Sequence, residues 1–186
     1  MDRRINILLL GIKNNIQYRP INIPTCDASS MLEVLKSWSE NNKIPLLQLA
    51  KKCVMLLALS TSWRPRSEIQ GIMRSEIIKG KNNALLLHCP KHKGKGSKSL
   101  WLSPYNEDPS ICPVRTLEKY FGLTKKHATG KFENTMFFIT SPKIKPASND
   151  TISRWIKSTI QLLGSKNSAH GTRGVSISKA FNSGEA

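Results

Sequence analysis

Apolar residues recur at helical spacing in several stretches of this chain, with strand-like runs between them. Met31, Val34, Leu35 and Trp38 fall at i, i+3, i+4 and i+7, one face of a helix that Asp27 or Ser29 can cap. Asn41–Pro45 breaks that helix. From Leu46 to Ser60 the apolar positions cover most of a helix's circumference, which predicts a buried central helix. A polar break follows over Ser60–Arg66, then a short helix over Ser67–Ile72. Glu76–Ile78, Ala84–Cys89 and Leu100–Leu102 read as strands, with Lys79–Asn83 as a turn and residues 90–98 as a flexible hairpin tip.

The second half continues the pattern. Val114, Leu117, Tyr120 and Phe121 mark the apolar face of a helix within Asp108–Phe121. Thr124–Asn134 is a basic, polar loop, Met136–Ile139 a short strand and Ser141–Ala147 a turn. Asn149 or Asp150 caps a helix over Thr151–Leu163, whose buried stripe is Ile152, Trp155, Ile156, Ile160 and Leu163, and Gly164 ends it. Residues 1–24 show no clear period and read as a linker or the tail of a preceding domain. The fold class is mainly α with a small antiparallel sheet (α+β), one domain over residues 25–186.

An apolar content of 39% in 186 residues is enough for a single packed core. The formal net charge of +17 is unusual and uneven. Residues 1–60 hold 8 Lys/Arg against 4 Asp/Glu; the remaining 126 hold 21 against 8. So strong a positive field selects polyanions, nucleic acid first. No segment reads as a basic amphipathic helix, which argues against a membrane surface. Four scattered cysteines without a Cys-x-x-Cys pair suggest a reducing, intracellular compartment. The apolar run Ile5–Ile12 lacks a cleavage site and is too short to span a bilayer.

Three groups of residues suggest chemistry. His170 and Arg173 are spaced His-x-x-Arg at an expected helix start near Thr172, where both can reach one anion. Arg64 and Arg66 follow directly on the buried helix, so either guanidinium has a rigid base. Lys91, Lys93, Lys95 and Lys98 on the glycine-containing hairpin can follow a phosphate backbone, and Arg154 and Lys157, three apart and off the apolar stripe, can do the same. The glycine–lysine loop fails the spacing of a P-loop. His88, Cys89, His92 and Cys112 do not make a structural zinc pattern, since Cys112 has no close partner; Cys89 is expected to face the core.

The order of these parts resembles the catalytic domain of the tyrosine recombinases, the phage-integrase superfamily, and among them the recombinases of eukaryotic mobile elements. The resemblance spans roughly Ile23–Ala186 and rests on residues 56–69 (LLALSTSWRPRSEI), 111–120 (ICPVRTLEKY), 151–157 (TISRWIK) and 169–173 (AHGTR). It implies that Arg64 is the first catalytic arginine, Lys91 the hairpin lysine (with Lys93 and Lys95 as alternatives), and His170 and Arg173 the His-x-x-Arg pair. The family places an acidic residue three after the first arginine. Here Glu68 lies four after, so one residue is inserted and Arg66 is a possible substitute for Arg64.

The chemistry so implied is breakage and rejoining of double-stranded DNA. Two guanidiniums clamp the non-bridging oxygens through paired hydrogen bonds, the lysine protonates the departing 5′ oxygen, and the histidine handles the nucleophile's proton. With those charges in place the resemblance implies no metal and no other cofactor. The family's product is a phosphotyrosine, but the tyrosines Tyr18, Tyr105 and Tyr120 do not match the nucleophile's place. The expectation is therefore a catalytic domain truncated before its nucleophile: a fragment, a decayed mobile-element copy or a DNA binder without chemistry. Self-association on DNA and, in a eukaryote, nuclear localisation go with that family. A different class, a basic RNA-binding protein, would show surface aromatics for stacking; the aromatics here fall mostly on apolar helix faces.

Overall fold

The computed structural model describes residues 28–38, 41, 43–90, 96–140 and 142–163. In chain order the elements are helices α1 (Ala28–Ser37) and α2 (Leu46–Thr61), a π-helical turn (Pro65–Ile69), and strands β1 (Ile78–Lys79), β2 (Leu85–Cys89) and β3 (Lys98–Leu102). Helix α3 (Pro113–Thr124), strands β4 (Phe138–Ile139) and β5 (Lys145–Pro146) and helix α4 (Asn149–Gln161) follow. The expected class holds: mostly helical, with a small antiparallel sheet.

Helix α2 is the centre. Ten of its residues are buried, Leu49, Val54, Met55 and Leu57 among them, because its sequence leaves almost no polar face. α3 and α4 both pack against it. The stripe Val114, Leu117 and Tyr120 of α3 and the stripe Ile152, Trp155, Ile156 and Ile160 of α4 are buried as their spacing requires. Trp155 meets Phe137 edge-on, with ring centroids 6.4 Å apart, so α4 is keyed to the residues just before β4.

The three-stranded sheet has the order β1-β2-β3, all antiparallel. β2 alternates buried Leu85, Leu87 and Cys89 with half-exposed Leu86 and His88, so one sheet face covers the core and the other meets solvent. Cys89 is fully buried, as expected. β4 and β5 form a separate two-stranded ribbon, with Phe138 opposite Pro146.

Four local expectations are corrected. The residues after Arg64 form a π turn over Pro65–Ile69, not a helix over 67–72. β1 begins at Ile78, because Arg74–Glu76 closes a 3₁₀ turn first. β3 begins at Lys98, which places that lysine in the sheet and not in the loop. Ser148 caps α4, its hydroxyl accepting from Thr151 N at 3.2 Å, so Asn149 and Asp150 are the first residues of the helix. The basic loop 124–134 is also more ordered than its composition suggests, with 3₁₀ turns at Lys125–His127 and Gly130–Phe132. Arg74 holds its start, donating to Phe121 O at 2.9 Å and to Thr124 Oγ1 at 2.8 Å at the C-terminus of α3.

Candidate functional site

Arg64 stands where α2 has ended. Ser62 takes a left-handed conformation (φ 54°) that stops the helix and turns the chain. Trp63 then sinks into the core with no exposed surface, and Arg64 emerges half-exposed at the core's edge. The anchor in sequence and the anchor in space therefore coincide: a guanidinium on the end of the most buried helix.

The turn after Arg64 is π-helical, one residue wider than an α turn. Arg64 O accepts from both Glu68 N (2.9 Å) and Ile69 N (3.1 Å), and Pro65 O accepts from Gln70 N at 3.2 Å. The wider turn accommodates one extra residue, which is how π bulges arise. It carries the Glu68 carboxylate back under Arg64, whose backbone N–H donates to Glu68 Oε2 at 2.8 Å. The Arg64 guanidinium lies 4.0 Å from Glu68 Oε1. Gly71 closes this turn against the sheet; a Cβ there would sit 2.7 Å from Ser67 O and 3.0 Å from Cys89 Sγ.

A second cation joins from the hairpin. Lys98 Nζ lies 3.3 Å from Glu68 Oε2 and 5.2 Å from the centroid of the Trp63 ring. Glu68 is sealed, its side chain 3% exposed, whereas those of Arg64 and Lys98 are 38% and 35% exposed. One buried carboxylate thus orients two cations that remain open to solvent on their other side. That is an arrangement suited to holding a further anion, because the cations are positioned before it arrives.

Arg66 extends the cluster. Its guanidinium pairs with Asp150 at 2.6 Å, joining the π turn to the first turn of α4. Arg154 lies one turn beyond Asp150 and Lys157 three residues further, both exposed, so Arg66, Arg154 and Lys157 follow one another along the outside of α4. Lys91, Lys93, Lys95, His170 and Arg173 lie outside the described residues. Of the residues singled out in the sequence, the structure therefore brings together Arg64 and Lys98. Glu68, already noted four residues after Arg64, and Trp63 are the groups they meet.

The other candidate chemistry resolves into packing. His88 bonds through Nδ1 to Ser99 Oγ at 2.8 Å, and its Nε2 is 3.5 Å from Glu76. Cys112 is buried beneath Tyr105 N, which donates to its sulfur at 3.2 Å. Among the described residues no three His, Cys, Asp or Glu side chains cluster as a metal site. Tyr120 is fully buried and its oxygen accepts from Phe138 N at 2.9 Å; burial holds its phenol well above the ordinary tyrosine range. Tyr105 donates to Glu107 at 2.7 Å.

The fold is coarsely tyrosine-recombinase-like. Among solved structures the chain is similar to the recombinase in an FLP recombinase–Holliday junction complex, at a TM-score of 0.51 and 11% sequence identity. The match covers all of this chain and 49% of that one, so the chain spans about half the length of the neighbour. No protein-family model and no curated protein matches the sequence.

Proposed function

We propose that this chain is the phosphate-holding part of a tyrosine-recombinase catalytic domain, of the type carried by eukaryotic mobile elements, and that its ligand is double-stranded DNA. The observation that carries the reading is the convergence of Arg64 and Lys98 on buried Glu68. Its support is the recombinase-like fold in which that convergence occurs. In this reading Arg64 and Arg173 bind the non-bridging oxygens of one phosphodiester, Lys91 gives its proton to the leaving 5′ oxygen, and His170 serves the nucleophile. Arg66, Lys93, Lys95, Lys98, Arg154 and Lys157 contact neighbouring phosphates. The catalytic domain covers residues 25–186 and residues 1–24 lead into it. Tyr120 is buried and bonded to Phe138 N, and Tyr105 donates to Glu107; in this reading neither is the nucleophile, and the activity expected of this polypeptide is DNA binding.

The test is a salt series with a radiolabelled duplex. Binding falls steeply and linearly in log–log form as salt rises, and Arg64→Ala lowers affinity across all duplex sequences while reducing the slope by about 1. A variant with unchanged affinity and slope, or a wild-type chain that ignores duplex DNA, sinks the reading.

A further inference from the structure

The outward face of the three-stranded sheet carries an aromatic surface with no part in the phosphate cluster. Ile78, Leu86 and Trp101 stand directly opposite one another across β1, β2 and β3 and so share that face. Ile78 is 57% and Trp101 53% exposed. Trp63 and Trp155, by contrast, are buried and Trp38 is packed against the core. With Ile78 and half-exposed Leu86 in the same cross-strand row, Trp101 belongs to an exposed apolar patch, and it is such patches rather than single exposed residues that mark interaction surfaces.

Its position is built, not incidental. The Trp101 ring lies on Gly80, where a Cβ would stand 2.4 Å from Cζ3; only glycine lets the ring settle there. Gly80 opens the turn Gly80–Ala84, closed by Gly80 N donating to Ala84 O at 2.8 Å, with Asn82 and Asn83 both left-handed (φ 54° and 60°). The same turn borders a polar groove of about 460 Å³ shared with α3, lined by Lys79, Asn82, Asn83, Asn106, Arg115 and Glu118 among others. Lys79 pairs with Glu118 at 2.9 Å. Arg115 and Lys81 are exposed and make no ion pair among the described residues. Three cations against one carboxylate leave the turn and groove positive.

A flat aromatic face beside a positive, amide-lined groove matches the recognition of unpaired nucleic acid, where bases stack on a ring and phosphates follow cations. We propose that Trp101 with the 80–83 turn is a platform for a single-stranded nucleic-acid segment: a base stacks on Trp101, and the adjoining phosphates pass over the turn to Lys81 and Arg115. The site lies on the opposite face of β3 from Lys98, which turns toward Glu68. It takes from the proposed function only the class of ligand, and a duplex, whose bases are already stacked, does not use it.

The experiment titrates the 186-residue chain with the oligonucleotide (dT)15 and with a blunt 20-base-pair duplex, following tryptophan fluorescence and anisotropy. (dT)15 quenches the exposed Trp101 emission. Trp101→Ala weakens (dT)15 binding on the order of 10- to 100-fold, Trp101→Phe restores most of it, Arg115→Ala weakens it, and duplex affinity is unchanged in all three. Arg64→Ala weakens the duplex and leaves (dT)15 untouched. The inference is overturned by any of three results: Trp101→Ala that binds (dT)15 as wild type does, Trp101→Phe as weak as Trp101→Ala, or inorganic polyphosphate that competes as well as (dT)15 per phosphate. Loss of the duplex arm alone overturns the recombinase reading and leaves this one standing.

Discussion

At the scale of single residues, two buried charges behave in opposite ways. Glu68 is buried but fully engaged, accepting from Arg64 N and Lys98 Nζ. Glu68→Ala leaves the partly buried Arg64 N–H without its acceptor and is expected to cost about 1–3 kcal/mol, whereas Glu68→Gln keeps an acceptor for that N–H and costs less. Chemical unfolding of the two variants side by side checks this, and equal losses would mean that the backbone bond is unimportant. Lys52 is fully buried on α2, and its ammonium finds no hydrogen-bond partner among the described residues. Burial pulls its pKa below the ordinary lysine range. A depressed folded-state pKa means that the unfolded chain binds more protons between that pKa and about 10.4, so stability rises with pH across that window. Lys52→Met is therefore expected to stabilise the protein by about 1–3 kcal/mol near pH 7, with the advantage shrinking toward pH 10. Thermal unfolding at several pH values tests it; a pH-independent difference would be inconsistent with a titrating lysine.

At the scale of elements, caps and turns decide what periodicity leaves open. α4 carries the Arg154–Lys157 face, and its start is set by Ser148. Ser148→Ala is expected to lower stability by about 1 kcal/mol, a fall of about 2–4 °C in the unfolding midpoint for a chain of this size, while Asn149→Ala does much less. A larger effect at Asn149 would return the cap to the position that the sequence pattern favours. The π turn is the other decisive element. Apolar spacing over Ser67–Ile72 points to a short helix and locates the break correctly. It does not show that the turn widens by one residue, because that widening is set by where Glu68 finds Arg64 and where Gly71 meets Cys89. A one-residue irregularity of this kind has no compositional mark.

At the scale of the whole molecule, charge and fold make separate statements. The excess of positive charge over residues 61–186 concerns partners, and the packing of α3 and α4 on α2 concerns architecture. Among the described residues the two meet where Arg64 and Lys98 converge on buried Glu68. The polypeptide is expected to bind a nicked suicide duplex without forming a covalent adduct, as read on a denaturing gel. A band of retarded protein that survives denaturation would reassign one of the three tyrosines as a nucleophile. The cluster is only partly legible in the sequence: Arg64 is marked by its place after the buried helix, but Lys98 lies 34 positions away and is one of several lysines on its hairpin.

Periodicity placed the four α-helices, strands β1–β4 to within a few residues and the burial of α2, since repeats of 3.6 and 2 follow from local backbone geometry and the need to hide apolar surface, whereas β5 lies in a stretch that reads as a turn. The net charge of +17 favours an anionic partner. Tertiary structure alone decided which lysine meets Glu68, that Trp63 roofs that lysine, and that Trp101 remains outside. Each of these is a contact between segments distant along the chain, and such contacts depend on how whole elements pack and not on what any window of residues prefers.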